Sequence, residues 1–190
     1  MKGKTHVVGV GPGSPECLTI RAKQVVKHSE IIAGYPHTLR TVKDLTHNKI
    51  VLELTHGNQE EILARVLEEA ENGKPSSILC TGDPNFSDNE FIQRILSYLP
   101  NADIIPGISS IQVAAAKSQL AWDEILLLTF HVSGDLEKKK QSLLDGVRGG
   151  DILLLLSESR FMPKDVAKFL LSSGIDDKMP ITVYKSDIGK

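Results

Sequence analysis

Short apolar runs alternate along this chain with stretches in which apolar residues recur every three or four positions. Short runs bounded by Gly, Pro, Asn or Asp are typical of buried strands, and the longer spacing is typical of amphipathic helices. The helical pattern is clearest at 58–72, which ends at Asn72 and Gly73, a common helix stop. In the first part of the chain we predict strands at 7–10, 31–34, 49–52, 77–80 and 102–105, and helices at about 19–28, 37–45, 58–72, 89–99 and 111–117.

Polar residues stand where these helices are predicted to begin. Thr19 or Ser14 is an N-cap candidate for the first helix, Asn58 for the third and Ser109 or Ser110 for the last. Because strands and helices alternate, the pattern predicts an α/β fold with a mostly parallel five-stranded sheet in the first domain.

The pattern shifts near residues 119–123. Beyond it we predict strands at 125–130, 151–156 and 181–184, with helices at 137–147 and 163–172. We therefore expect two α/β domains, an N-terminal one over 1–120 and a smaller C-terminal one over 121–190 that is shortened at its end.

Three predicted strands of the first domain end in loops rich in Gly and Pro, at 11–15, 81–86 and 106–110. Parallel strands place their carboxyl ends at one edge of a sheet, and ligands bind just outside that edge. One such loop can be an ordinary tight turn, but three together predict a shared ligand site.

The first loop fits a dinucleotide-binding fingerprint poorly. That motif requires G-x-G-x-x-G, and the position of its third glycine is occupied by Ser14. Pro12 and Pro15 also lack the N–H donors that a pyrophosphate needs. A nicotinamide cofactor is therefore disfavoured.

Composition narrows the class of partner. The 190 residues carry a net charge of -2 and 5% aromatic residues, which disfavours binding to nucleic acid. No apolar run approaches membrane length, and Gly9, Gly11 and Pro12 interrupt the stretch that a signal peptide would need. Cys17 and Cys80 lack metal or redox spacing and are interpreted as packing thiols. We expect a cytoplasmic protein with no nucleic-acid, membrane or metal partner.

Several motifs together resemble the tetrapyrrole methylase family. They are the glycine run at 9–13 followed by Leu18 and Thr19, the Thr-Gly-Asp-Pro run at 81–84 and the Pro-Gly-Ile-Ser-Ser run at 106–110. Further segments resemble the branch that methylates C5 of cobalt-precorrin-7 or precorrin-6Y in cobalamin synthesis. These are the segments 106–112 and 114–116, Trp122 and Asp123, Phe130 and His131, Leu156 and Ser157, and Pro163, Ala167, Leu170 and Leu171.

The resemblance implies two α/β domains with a ligand cleft between them, S-adenosylmethionine as cofactor and a precorrin as substrate. It implies a homodimer, and a partner enzyme for the decarboxylating C15 methylation is an open question. No catalytic side chain is assigned, because the family's reaction needs alignment of cofactor and substrate rather than a nucleophile or metal. The implied cofactor contacts are Pro12, Thr81, Gly82, Asp83, Phe86, Ser109, Ser110 and Ser157, and the implied substrate contacts are Gly11, Gly13 and His131.

Other polar residues can be interpreted either as contacts for a ligand or as ordinary surface residues. His37 and His56 follow predicted strands at the same edge and are weaker candidates than His131 for contact with substrate. Arginines could pair with tetrapyrrole carboxylates, although solvated side chains are the default interpretation. The arginines considered are Arg21, Arg40 and Arg160.

The chain also departs from the family pattern at 85–89, at 132–134 and in the tail at 184–187. These departures leave two alternatives open. The chain could methylate another precorrin, RNA or protein on the same fold, or it could be an inactive cofactor-binding paralogue.

Overall fold

Five parallel strands form the sheet of the first of two compact units in the computed structural model, which describes residues 2–86 and 88–185. Unit 1 covers residues 2–110 and unit 2 covers residues 111–185. The strands lie in the order β3-β2-β4-β1-β5. They are β1 (Thr5–Gly9), β2 (Ile31–Gly34), β3 (Ile50–Glu53), β4 (Ser76–Cys80) and β5 (Asp103–Ile105).

Helices cover both faces of this sheet. On one face Val8 and Val10 pack in a buried cluster with the helix α1 (Ile20–His28). On the other face Val7 packs in a cluster with the helices α3 (Gln59–Glu71) and α4 (Asn89–Tyr98). Successive residues of a strand point to opposite faces, so one apolar strand supplies both clusters. The helices of unit 1 are α1 (Ile20–His28), α2 (Pro36–Thr41), α3 (Gln59–Glu71) and α4 (Asn89–Tyr98), with 3₁₀ turns at Pro15–Cys17 and Lys43–Leu45.

The helices that follow the two central strands lie on opposite faces of the sheet. β1 and β4 are neighbours, with Val8 opposite Leu79. The helix after β1 packs on the face of Val8, and the helix after β4 packs on the face of Val7. Connections that diverge in this way leave a crevice at the carboxyl ends of the two strands, where α/β sheets bind ligands.

Unit 2 contains a two-stranded parallel sheet. Leu126 pairs with Leu153 and Thr129 with Leu156, and Phe130, Leu143 and Phe161 lie in its buried cluster. The division into domains 1–120 and 121–190 stays a prediction, while the two compact units meet at residues 110 and 111. The elements of this part of the chain are α5 (Ser110–Ser118), β6 (Leu126–Thr129), α6 (Glu137–Gly149), β7 (Leu153–Leu156) and α7 (Pro163–Ser172).

Two helix predictions need correction. The helix expected at 37–45 ends at Thr41, because Val42 leaves helical geometry with φ -113° and ψ 16° and is buried in the core beside α1. Asn58 precedes α3 but its side chain does not cap that helix. Its Oδ1 instead accepts the Thr55 N–H at 2.7 Å, because the loop before the helix folds back on it.

The strand expected at 181–184 is absent from the described residues: the segment 180–185 has no strand geometry. Ile181 and Val183 are exposed, and the Tyr184 hydroxyl lies 2.8 Å from the Ser118 hydroxyl. β propensity alone does not form a strand, since the backbone needs a partner strand beside it. The departures noted at Ser87 and at 186–187 lie outside the described residues.

Candidate functional site

Two glycines join the ends of β1 and β4. Gly11 and Gly82 pair as an isolated antiparallel bridge, in which the Gly82 N–H donates to the Gly11 carbonyl at 2.8 Å. The Gly11 N–H donates back to the Gly82 carbonyl at 3.3 Å. Both residues have positive φ, 79° and 66°, which favours glycine at these positions. Their N–H groups are therefore used within the protein and are not free for a ligand.

Close backbone packing explains two further glycines of this edge. A Cβ on Gly107 would lie 2.1 Å from the Gly82 carbonyl oxygen, and a Cβ on Gly9 would lie 2.6 Å from the same oxygen. No side chain fits at such distances, so Gly9 and Gly107 allow three strand ends to approach each other. Gly82 differs, because a Cβ there would lie 3.6 Å from the Ser109 Cα, an ordinary contact distance.

Asp83 connects the loops that follow β4 and β5. Its Oδ2 accepts the Gly107 N–H at 3.3 Å, and its Oδ1 accepts the Asn85 N–H at 2.7 Å. The Phe86 N–H closes the turn by donating to the Asp83 carbonyl at 3.0 Å. A carboxylate has about four lone-pair positions, so each oxygen can still accept a hydrogen bond from a ligand hydroxyl. Asp83 is thus first a structural link and can also be a binding group.

Thr81 connects the same turn to the neighbouring helix α2. Its Oγ1 lies 2.7 Å from Nε2 of His37, the second residue of that helix. The His37 ring stacks on Tyr35 at a centroid distance of 5.9 Å. Burial, followed by the positive charge of Arg40, lowers the pKa of His37 below its ordinary value. The contact therefore involves an uncharged imidazole at neutral pH.

Cys80, the last residue of β4, places a thiol at this edge of the sheet. Burial, followed by the charges of Asp88 and Asp83, raises the pKa of the Cys80 thiol well above its ordinary value. A protonated, buried thiol is a poor nucleophile. Within residues 2–86 and 88–185, no three His, Cys, Asp or Glu side chains are grouped so as to hold a metal ion.

The structure brings Gly11, Thr81, Gly82, Asp83 and Ser109 of the predicted site together at the carboxyl edge of the sheet. Ser109 is buried. The remaining predicted residues of unit 1 occupy the same loops or the helix that follows: Pro12 and Gly13 after β1, Phe86 after β4 and Ser110 at the start of α5.

Two predicted site residues, His131 and Ser157, belong to unit 2. Thr129 and Leu156 are paired ends of β6 and β7, so His131 and Ser157 both follow the same edge of that sheet. His131 is exposed, and its N–H donates to Thr129 Oγ1 at 3.1 Å. Ser157 is half-buried.

Arg160 links the loops of this second edge. It donates to the Gly134 carbonyl at 2.9 Å, to the Val132 carbonyl, and to Glu158 Oε1 at 2.5 Å. Burial is the largest single influence and raises the pKa of Glu158, but the hydrogen bonds and positive charge of Arg160, with a hydrogen bond from Ser159, together outweigh it and the net shift is downward. Arg160 is therefore more than a solvated side chain. Contact between Arg160 and a substrate carboxylate stays a prediction, because the guanidinium has five N–H donors and these bonds use three.

Comparison with known proteins places this chain in a family. The model for Tetrapyrrole (Corrin/Porphyrin) Methylases matches residues 4–187. The chain belongs to the tetrapyrrole methylase family. It is therefore an S-adenosylmethionine-dependent methyltransferase of cobalamin or tetrapyrrole biosynthesis, which confirms the resemblance found in the loop motifs.

Individual relatives agree with the family. A probable cobalt-precorrin-7 C(5)-methyltransferase of Methanocaldococcus jannaschii is 30% identical over 95% of this chain and 82% of its own length. A cobalt-precorrin-4 C(11)-methyltransferase of the same organism is 29% identical over 95% of this chain and 73% of its own length. The crystal structure of the methyltransferase CobJ has the same fold, with a TM-score of 0.73 at 20% identity over 90% of this chain and 76% of that chain.

No helix in the described part of this tetrapyrrole methylase is long and apolar enough to cross a membrane. The sequence interpretation named His37 and Thr81 but missed Tyr35, the ring on which the His37 imidazole stacks. An aromatic residue and a histidine directly after a buried strand were the available signal.

Proposed function

We propose that this chain methylates C5 of a reduced corrinoid precursor, cobalt-precorrin-7 or precorrin-6Y. The observation that carries the proposal is the 30% identity to the probable C(5)-methyltransferase of M. jannaschii over 95% of this chain. The motifs at 106–112 and 130–131 support the same branch.

The residues at the carboxyl edge of unit 1 fit the methyl donor. Gly82 has a positive φ and room for a Cβ beside Ser109, so the backbone leaves space where a ligand can approach. Asp83 retains lone pairs that suit ribose hydroxyls. We assign cofactor contacts to Pro12, Thr81, Gly82, Asp83, Phe86, Ser109, Ser110 and Ser157, and substrate contacts to Gly11, Gly13 and His131.

When bound, S-adenosylmethionine supplies an electrophilic methyl group, and the reduced macrocycle supplies the nucleophilic carbon. The residues of this chain bind, align and shield the reactants. Holding two reactants in line can contribute about 7–11 kcal/mol to lowering the barrier. The linked loops suit that task, because Gly11, Gly82 and Asp83 are held by backbone hydrogen bonds before any ligand arrives.

Incubation with methyl-labelled S-adenosylmethionine and a panel of late precorrins, followed by mass spectrometry, tests the proposal. We expect one labelled methyl group at C5. Label on RNA or protein with none on any tetrapyrrole would contradict the substrate class. Cofactor binding without transfer to any substrate would favour an inactive paralogue.

A second candidate is methylation at C11 of a precorrin-4-type substrate. It is favoured by the 29% identity to the C(11)-methyltransferase of M. jannaschii. A precorrin-4-type substrate is therefore added to the panel, and the position of the label on the macrocycle separates the two candidates.

We also propose that the protein is a cytoplasmic homodimer, as the family resemblance implies. We further propose that a partner enzyme carries out the decarboxylating C15 methylation. Light scattering of the purified protein tests the dimer. Product analysis tests the partner, because C5 methylation without loss of carbon dioxide is expected from this chain alone.

A further inference from the structure

We propose that His37 is a positioning residue for the cofactor loop 81–86, which it holds through the hydroxyl of Thr81. The inference rests on the proposed function, since its readout is affinity for S-adenosylmethionine and its demethylated product. Nε2 of His37 lies 2.7 Å from Oγ1 of Thr81, and the two residues are 44 positions apart in the chain. This bond connects α2 directly to the end of β4.

His37 is itself held in place. Its ring stacks on Tyr35 with 14° between the planes. The Tyr35 hydroxyl accepts a hydrogen bond from Gln59, and the Gln59 side-chain carbonyl accepts one from Arg94. Gln59 is buried, so side chains from α3 and α4 fix the surface against which the imidazole rests.

Thr81 occupies a position where small movements matter. It directly precedes Gly82, whose φ is 66°, and Asp83, which links the loop to Gly107. On its other side, the Cys80 carbonyl accepts the Val10 N–H at 2.9 Å and so fixes the main chain of β4. The main chain is therefore held on both sides of Thr81, and His37 holds its side chain.

The charge of His37 supports this role. Burial, followed by Arg40 on its own helix, lowers the pKa of His37. The His37 ring meets the hydroxyl of Thr81, in the loop after β4, and the ring of Tyr35. Tyr35 also contacts His56, at a centroid distance of 5.6 Å. An uncharged imidazole next to the loop avoids repulsion with a sulfonium cofactor, and protonation at low pH would introduce it.

The first test compares two substitutions of His37 by calorimetry with S-adenosylhomocysteine at about pH 8, where histidine is uncharged. His37→Ala removes the bond and should weaken binding about two- to tenfold. His37→Gln keeps a side-chain amide that can reach Thr81 and should bind nearly as the wild type does. His56→Gln is the matched control, since His56 contacts the same Tyr35 ring and should leave affinity unchanged.

A double-mutant cycle tests whether His37 acts through Thr81. Thr81→Val removes the hydroxyl at nearly constant shape and should weaken binding at least as much as His37→Ala does, since Thr81 is itself assigned as a cofactor contact. The pair His37→Ala and Thr81→Val together should be no weaker than the worse single variant, because both remove one interaction. Fully additive losses would overturn the proposal, provided that melting temperatures show intact folding.

The dependence of ligand affinity on pH distinguishes this role from a purely structural one, because a purely structural histidine would not change the difference between the two ligands. Wild-type affinity for S-adenosylmethionine should fall only as the pH drops below the ordinary histidine pKa of about 6.5, because the pKa of His37 is lowered. The fall should be smaller for S-adenosylhomocysteine, which lacks the sulfonium charge. His37→Gln should lose this difference. His6, whose pKa is also lowered by burial, is present in all variants, so its titration is common to them.

The outcomes separate the two proposals. If the wild type binds neither ligand, the proposed function fails and this inference fails with it. If the wild type binds both and His37→Ala binds equally well, the inference alone is overturned. A pH profile that is the same in wild type and His37→Gln would also overturn it.

Discussion

In unit 1 the loops after β4 and β5 are joined by a carboxylate that accepts backbone N–H groups, whereas in unit 2 the loops after β6 and β7 are joined by a guanidinium that donates to backbone carbonyls. Asp83 is half-buried beside glycine backbone, and the Arg160 side chain is 46% exposed. Water and salt weaken exposed charge pairs far more than enclosed ones.

The difference indicates how each edge is kept in shape. The edge of unit 1 is set by backbone contacts, in which Gly9, Gly82 and Gly107 touch one another and Asp83 supports them. The edge of unit 2 contains an ion pair between the exposed Arg160 side chain and the half-buried Glu158 side chain. We therefore expect the stability of unit 1 to change when single atoms are added or removed at its edge. We expect the stability of unit 2 to change with ionic strength and pH.

The largest expected effect is at Gly107. Gly107→Ala would place a Cβ 2.1 Å from the Gly82 carbonyl oxygen and 2.8 Å from the Gly9 carbonyl carbon, so the strand ends must separate. We expect a loss of about 3 kcal/mol in the free energy of unfolding, at the upper end for overpacking. Urea unfolding measures it. Gly57→Ala is the control, because its Cβ would meet only a Thr55 hydroxyl at 4.0 Å; equal losses in both would show that packing at the edge is not the cause.

Removal of the Asp83 carboxylate should have the next largest effect. Asp83→Ala leaves the Gly107 and Asn85 N–H groups without their acceptor, which should cost about 1.5–3 kcal/mol in unfolding free energy. Asp83→Asn keeps one acceptor oxygen and should lose less. Denaturation in low and high salt checks the mechanism. A loss of unfolding free energy that depends strongly on salt would contradict the contrast between the units, because that response is expected only of the Arg160–Glu158 pair.

Substitution of Gly82 tests whether this residue contacts the cofactor in addition to adopting a positive φ. Gly82→Ala forces a side chain into positive φ and should cost about 1–2 kcal/mol of stability. Gly174→Ala has φ 81° with nothing within 4 Å of its Cβ, so it should show the same strain. Calorimetry with S-adenosylhomocysteine should detect weaker binding for Gly82→Ala alone. Equal affinities in the two variants would remove Gly82 from the cofactor site.

The smallest expected effect is at Arg160. Arg160→Lys keeps the charge but loses the forked donor geometry, and should cost less than about 1 kcal/mol. Arg160 holds the pKa of Glu158 below its ordinary value, so the pair stabilises the fold above that ordinary value and is lost as pH falls through the lowered pKa. Thermal melting across acidic pH, at two salt concentrations, checks both effects. A salt-independent loss would contradict the contrast between the units.

Much of the fold could be predicted from the sequence where local signals were strong. The strand Ile31–Gly34 and the helix Pro163–Ser172 have the predicted bounds, because turn-forming residues or a proline delimit them. Predictions were wrong where neighbours decided the outcome. Val42 ended α2 early to enter the core, and residues 181–184 had no strand beside them in the described structure.

By itself the sequence determined the α/β class and the family, and it predicted the edge of the sheet at which we propose the site, because glycine and proline at strand ends are local and specific signals. Only the tertiary structure decided which residues meet there. Asp83 and Gly107 are 24 positions apart, and His37 and Thr81 are 44 apart. These pairs depend on strand order, which places β4 between β2 and β1. That order results from packing helices on both faces of one sheet, a property of the whole unit.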